Sequence, residues 1–471
     1  MYIRPFFIAI LAALVTASAA TGAEPVEIGA RLELFVDAFL IDEMTGDVRQ
    51  HLHRPEAKDV VLVTDEPWEG NTCAYYTIFR DGDRYRMYYR GSHYDEKTRK
   101  AAHREVTCYA ESRDGIRWTK PALGLFEFDG SKDNNIVWDG IGTHCFVAFK
   151  DTNPECPDEA RYKGIARGRP RGKRGLYVFQ SQDGIHWELI RPEPVITVGA
   201  FDSQNLAFWD PHARLYREYH RTFVDGKRAI MTGTSRDYVH WTRPVLLTYP
   251  GAPAEHLYTN AVMPYPRAPH ILIGFPTRYL PKEGQRVEPT FMASRDGRTF
   301  RRWLDAVIPE SAPKDRGGNR SNYMAWGLVE LPGRPDRYSV YATEAYYRGP
   351  DSRLRRFEYR KDGFVSVRAG AAGGELVTRP IVLREAAERL VLNFETAEGG
   401  SVRVGLETAD GKPIPGYELA SCLPLTGDSI RRNMKWKAGA DVSPLKGNVV
   451  RLRFQLQNAD LYSLQFPPGV H

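Results

Sequence analysis

Short runs of β-forming residues broken by polar turns make up most of this chain, the pattern of strands joined by tight hairpins. One turn recurs: Ser112-Arg113-Asp114-Gly115-Ile116-Arg117-Trp118 returns as Ser181-Gln182-Asp183-Gly184-Ile185-His186-Trp187 and as Ser235-Arg236-Asp237-Tyr238-Val239-His240-Trp241. A looser fourth copy is Ser294-Arg295-Asp296-Gly297-Arg298-Thr299-Phe300. Asp-Gly in this position favours positive φ and predicts a hairpin tip. The Asp positions are 54 to 69 residues apart, about one four-stranded sheet per interval. Such self-similarity predicts radial repetition, a β-propeller.

Taken in order, Leu32–Val36, Leu40–Asp42 and Val60–Val63 read as strands ahead of the first repeat, one of them expected to complete the last sheet and hide its edge. Unit one holds Tyr75–Phe79, a turn at Asp81-Gly82, Tyr85–Tyr89 and Val106–Ala110. Unit two runs from His144 through Phe146–Phe149, Lys163–Ala166 and Leu176–Phe179, and unit three from Asp202 through Leu206–Trp209 and Leu215–His220. Unit four covers Tyr258 to Trp303. Unit five, with Tyr338–Ala342 and Leu354–Tyr359, ends in Asp362-Gly363-Phe364 in place of the hairpin motif. Past the small-residue run 369–374 the repeat stops, while strands such as Leu390–Phe394, Val402–Leu406, Val449–Leu452 and Leu461–Phe466 continue. The expected fold is all-β: a five-bladed propeller over residues 24–374, followed by a β-sandwich over 375–471.

Residues 1–23 stand apart. Arg4, the apolar run Phe6–Val15 and the small residues Ala17-Ser18-Ala19 and Thr21-Gly22-Ala23 have the layout of a signal peptide, and the apolar run is too short to span a bilayer. The expected product lies in a periplasm or outside the cell, with no membrane span. Loss of the leader would take the formal charge from +6 to +5. With charged residues of both signs at 26%, this gives no basic stripe for nucleic acid, although it suits a negatively charged substrate. The five Cys form no CxxC pair and specify no disulfide framework. No HExxH, GxSxG, P-loop or dinucleotide fingerprint occurs, so neither a metal nor another cofactor is expected.

Side chains just before the innermost strand of a blade would face the shared axis. Aligning Ala74-Tyr75-Tyr76 with Ala207-Phe208-Trp209 puts Glu69 and Asp202 at one position, and anchoring unit four on Ala261 adds His256, next to Glu255. Converging carboxylates supply the proton donor and the base or nucleophile of glycosidic cleavage, and a third raises the donor's pKa. Asp202 is the expected base or nucleophile, Glu255 the acid and Glu69 the modulator, with Asp37 a further candidate. Each of these acids could equally cap a turn or pair with an Arg. Four second strands end in Arg, at Arg90, Arg167, Arg221 and Arg278, while unit five has Glu344 there. This is a partly basic rim suited to a carboxylate or sulfate. His144, Asn71 and His256 complete the expected substrate contacts.

The repeated Ser-x-Asp-Gly-x-x-Trp hairpin resembles that of the five-bladed propeller glycosidases of families 32, 43, 68, 117 and 130, of which family 32 also carries a C-terminal β-sandwich. Leu34-Phe35-Val36-Asp37, Trp68-Glu69-Gly70-Asn71-Thr72, Leu257-Tyr258-Thr259-Asn260, Arg267-Ala268-Pro269-His270 and Ser352-Arg353-Leu354-Arg355-Arg356 look like exported bacterial family-32-like proteins. The Asn-Asp-Pro opening and Arg-Asp-Pro stretch of families 32 and 43 are missing, and unit two offers His144 where they have a carboxylate. The resemblance to family 117 would make His144 or His256 the proton donor. Together the residues and the resemblance imply an exported hydrolase of a plant or algal polysaccharide or oligosaccharide, uronic or sulfated. The alternatives are a non-catalytic carbohydrate-binding propeller and a phosphate-dependent glycoside phosphorylase.

Overall fold

The computed structural model describes residues 24–308, 323–384 and 387–468, so the expected leader, residues 1–23, lies outside the described residues. The chain is nearly all β, with a few short 3-10 turns. Its first three repeats are four-stranded antiparallel sheets. The first contains Ala74–Asp81, Arg84–Gly91, Val106–Ser112 and Ile136–Trp138. Val147–Lys150, Tyr162–Gly168, Gly175–Ser181 and Glu188–Leu189 make the second. Leu206–Asp210, Leu215–Val224, Lys227–Ser235 and Val245–Leu246 make the third.

The fourth repeat is split. Met263–Tyr265, Ala268–Gly274, Met292–Ser294 and Phe300–Arg302 form one sheet, and His256–Leu257, Thr277–Leu280 and Arg286–Pro289 form a separate ladder beyond Pro276. Proline has no N–H to give to a ladder, so the strand direction breaks there. In the fifth sheet, Arg337–Glu344 and Arg353–Arg360 are joined by Glu56–Val63 from the N-terminal region. The early strand expected to complete the last sheet does pair with it.

The hairpin motif explains itself in hydrogen bonds. Asp183 Oδ1 accepts the N–H groups of Ile185 and His186, Ser181 Oγ accepts that of Gly184, and Trp187 Nε1 donates to the Gly184 carbonyl. Asp114, Asp237 and Asp296 repeat the double acceptance. The residue after Asp has φ of 69° at Gly115, 76° at Gly184 and 77° at Gly297, which glycine adopts freely. Tyr238 takes the same conformation at 69° in the third copy.

Each tip is bonded to a neighbouring sheet. Tyr341 of the fifth sheet donates to the Gly115 carbonyl, Tyr88 of the first to Gly184, and Tyr219 of the third to Gly297. Tyr238 of the third donates to Gly164 of the second, and Tyr265 of the fourth to Asp362 after the fifth. These bonds connect five against one, one against two, two against three, three against four and four against five.

The remaining strands form one eight-stranded sheet that draws on both ends of the chain. Val391–Thr408 and Val449–Gln465 are its long central strands, and Val26–Glu27, Glu33–Leu34 and Ile41–Leu52 join from the N-terminal side. The run 369–374 lies inside the strand Val365–Thr378 as a bulge, with Gly373 at φ 67°. A Cβ on Gly46 would sit 2.7 Å from the Gly373 carbonyl oxygen, so the small residues serve close strand approach. This sheet has its own apolar core, including Phe394, Leu406, Phe454 and Trp436.

Candidate active site

Three of the four arginines expected on a rim converge. Arg90, Arg167 and Arg221 stand near the ends of the second strands of the first three sheets; the guanidinium groups of Arg167 and Arg221 lie beside a loop residue, Asp202, and that of Arg90 beside Glu105. His144, in the 3-10 turn Thr143–Cys145, sits between two carboxylates. Its Nε2 lies 2.7 Å from Asp202 Oδ1, and its Nδ1 lies 2.9 and 3.0 Å from the oxygens of Glu105. Arg167 Nη1 is 3.2 Å and Arg221 Nη2 3.8 Å from Asp202, and Arg90 Nη1 is 3.7 Å from Glu105.

These contacts set the charges. The His144 hydrogen bond holds Asp202 far below the usual carboxylate range, and the charges of His144, Arg167 and Arg221 add to it against the opposing effect of burial. Burial pushes Glu105 up, but the His144 hydrogen bond and the charges of His144, Arg90 and Arg167 outweigh it and leave the group lowered. Both carboxylates are therefore ionised at neutral pH, one on each nitrogen of the imidazole. Asp202 is half-exposed and faces a cleft of about 600 Å³, lined also by Ile141, His144, Arg167, Arg174 and Phe201.

Tyrosines from three other parts of the chain wall the site. The Arg90 guanidinium lies 4.9 Å from the Tyr75 ring centroid and donates to the Tyr346 hydroxyl (2.8 Å) and the Thr72 carbonyl (2.6 Å). Tyr346 packs on Tyr323, and Tyr323 on Tyr258, at centroid distances of 5.5 and 5.4 Å. Tyr75 has φ 60° at a register shift in its strand, and Ala345 and Tyr347 have φ 58° and 61°. Such conformations cost about 1–3 kcal/mol each for non-glycine residues and gather where a site is built.

The other expected residues lie elsewhere. Glu69 is buried in the first sheet, accepting from Tyr89 (2.5 Å) and Lys120 (2.7 Å); burial raises its pKa and Lys120 opposes this. Glu255 is held by Arg302 (2.5 Å) and Arg278 (3.4 Å), and Arg278 also pairs with Glu288. Asp37 pairs with Arg295 (2.8 Å), which also binds Glu33. Glu344 is buried and paired with Arg355. Asn71 clamps the backbone of Tyr94 and Gly349, and its carbonyl accepts from Tyr347 N, so it holds the tyrosine loop. His256 Nδ1 accepts from the Arg228 N–H (3.2 Å); burial, then the charges of Arg228 and Lys227, lower its pKa and keep it neutral.

Of the four expected carboxylates, Asp202 alone joins this cluster. Glu105 is a carboxylate that the sequence does not single out: it precedes a third strand, Val106–Ser112, whereas the repeat alignment that pointed to Glu69 and Asp202 compares positions before first strands. Among the described residues no group of three or more His, Cys, Asp or Glu side chains is arranged to hold a metal ion. All five cysteines are buried and free.

No family model matches the chain, and no curated protein matches it. Among solved structures, the chain is similar to a thermostable family-43 glycoside hydrolase, at TM-score 0.42 and 15% identity over 64% of this chain and 94% of that one. It is similar to the β-1,2-mannobiose phosphorylase of Listeria innocua, at TM-score 0.44 and 12% identity over 65% and 96%. It is also similar to the family-43 arabinoxylan arabinofuranohydrolase of Bacillus subtilis, at TM-score 0.40 and 14% identity over 88% and 99%. No helix among the described residues is long and apolar enough to cross a membrane.

Proposed function

We propose that this protein is an exported glycoside hydrolase, a five-bladed propeller with a C-terminal β-sandwich, acting on a plant or algal polysaccharide or oligosaccharide. The cyclic order of the five tyrosine bonds between sheets supports the propeller. The bulged long strands of the eight-stranded sheet support a sandwich built on 375–471, to which Val26–Glu27, Glu33–Leu34, Ile41–Leu52 and the start of Val365–Thr378 add. The observation that carries the function is the hydrogen-bonded series Glu105, His144, Asp202, whose last member opens on the cleft.

In this reading Asp202, ionised, is the base or nucleophile at the anomeric carbon. His144 gives its Nε2 proton, shared with Asp202 in the free protein, to the leaving glycosidic oxygen as the substrate enters, and Glu105 on Nδ1 orients the ring. With Glu255 and Glu69 held in their own ion pairs, the donor role moves to His144, one of the two histidines, His144 and His256, that the resemblance to family 117 implies. The site tyrosines supply flat apolar faces for sugar rings.

The test is a reducing-end assay of the mature protein on neutral, uronic and sulfated polysaccharides, alongside Asp202→Asn and His144→Gln. Product that both substitutions abolish while the melting temperature holds would support the reading. No product, but a sugar-dependent rise in melting temperature, would favour a binding protein. Turnover that requires inorganic phosphate would make it a phosphorylase.

A further inference from the structure

The central hairpin of the third sheet carries two arginines on one face. Arg221 pairs across the ladder with Ile230 and Phe223 with Arg228, which makes Arg221 and Arg228 diagonal neighbours. Both guanidinium groups lie against the Tyr258 ring, 4.9 and 5.0 Å from its centroid. They also share Phe223, at 5.5 and 5.6 Å. Two like charges against the same rings repel, and an anion held between them would offset that repulsion.

The protein provides little of that anion. Arg221 is buried, and its nearest carboxylate is Asp202 at 3.8 Å. Arg228 has no ion-pair partner among the described residues, and a neutral His256 holds its backbone N–H at 3.2 Å and lies 3.5 Å from its Nη1. Nη1 of Arg221 and Nε of Arg228 are buried without a hydrogen-bond partner. Buried guanidinium donors are rarely left unmet, because the lost hydration is not recovered. Guanidinium forks match planar and tetrahedral oxyanions.

We infer that Arg221, Arg228 and Tyr258 form a subsite for an oxyanion carried by the sugar, a uronate carboxylate or a sulfate ester, one guanidinium away from Asp202. The inference rests on the glycosidase reading above and extends it to the charge of the substrate and to Arg228. Arg221 bridges the two functions, with one edge towards Asp202 and an unmet donor in the subsite.

Crystals of the mature protein soaked in sodium selenate, an anomalous stand-in for sulfate, test the site directly, and calorimetry with selenate, glucuronate and glucose tests its selectivity. Selenate is expected within hydrogen-bond distance of Arg221 Nη1 and Arg228 Nε. Glucuronate should compete with it at least about tenfold better than glucose, and Arg228→Met should weaken selenate binding about tenfold or more. Arg228→Lys should restore part of the binding. Selenate absent from the pair, or bound equally well by Arg228→Met, would overturn the subsite. Glycan turnover that depends on inorganic phosphate and is lost in Arg228→Met would assign the pair to phosphate and overturn the sugar-borne group. Selenate and glucuronate binding without any glycan turnover would keep the subsite and remove the hydrolase. Equal cleavage of neutral and charged glycans would keep the hydrolase and remove the subsite.

Discussion

Replacing Lys120 by Met separates the two roles open to Glu69. The Glu69 side chain is fully buried and its closest cation is Lys120 Nζ at 2.7 Å. At that distance the attraction is about 6 kcal/mol with an effective dielectric of about 20. Removing the ammonium leaves Tyr89 and the Glu66 N–H as the remaining partners of a buried carboxylate. Breaking one side of such a pair costs about 3–5 kcal/mol, and because Lys120 retains some exposure the lower end is expected. The cost also depends on pH with a definite sign. Glu69 already has a raised pKa in the folded protein, so folding favours its protonated form and this group's contribution falls as pH rises through the folded value. Without Lys120 that value rises further, so the deficit should be largest near pH 8 and shrink towards pH 5. Urea unfolding followed by tryptophan fluorescence at both pH values reads this, and Glu69→Gln with Lys120→Met should recover much of the loss. A loss below about 1 kcal/mol, or one that grows as pH falls, would refute the reasoning. If folded Lys120→Met instead lost turnover at unchanged stability, Glu69 would belong to the site after all.

Glu105→Gln should keep the fold and lower kcat by about 10²–10⁴-fold, with a shifted pH profile, because the residue acts through His144. An unchanged profile would remove it from the mechanism. Tyr346→Phe takes one acceptor from the buried Arg90 guanidinium and should destabilise the protein by about 1.5–3 kcal/mol in urea unfolding. The hairpin aspartates have lowered pKa values, Asp114 reaching about 2 through its backbone hydrogen bonds despite partial burial. Their contribution is present above the unfolded value of about 3.9 and is lost as pH falls towards 2, so an acid titration should show cooperative loss of structure in that window. Since all five cysteines are free, dithiothreitol should leave the melting temperature within about 1 °C, and a larger drop would reveal a disulfide.

Strands and tips were legible in the sequence because they are local. Alternation in Tyr85–Tyr89 and the Ser-x-Asp-Gly hairpin depend on side chains two or three positions apart, and their hydrogen bonds form within the turn itself. Of the long strand Ile41–Leu52 only the start, within Leu40–Asp42, was legible, because the rest is partly exposed and mostly polar and no apolar run marks it. The same limit applied to the carboxylates. Glu69 and Asp202 occupy aligned positions before first strands, yet one turns inward onto Lys120 and the other faces the cleft. The backbone at Tyr75, bulged and at positive φ, and the loop through Ala345 and Tyr347 shape the wall around Arg90, and no alignment of repeats contains those dihedral angles.

By itself, then, the sequence determined the all-β class, the repeat and its turns, and one carboxylate of the candidate site, since these depend on periodicity and on hydrogen bonds closed within a few residues. Only the tertiary structure decided which charges meet. Glu105, His144 and Asp202 come from different sheets and intervening loops, and Arg228 meets Tyr258 from the far strand of a hairpin. Electrostatic partnership depends on distance in space, which the packing of whole sheets sets and the spacing of residues along the chain does not encode.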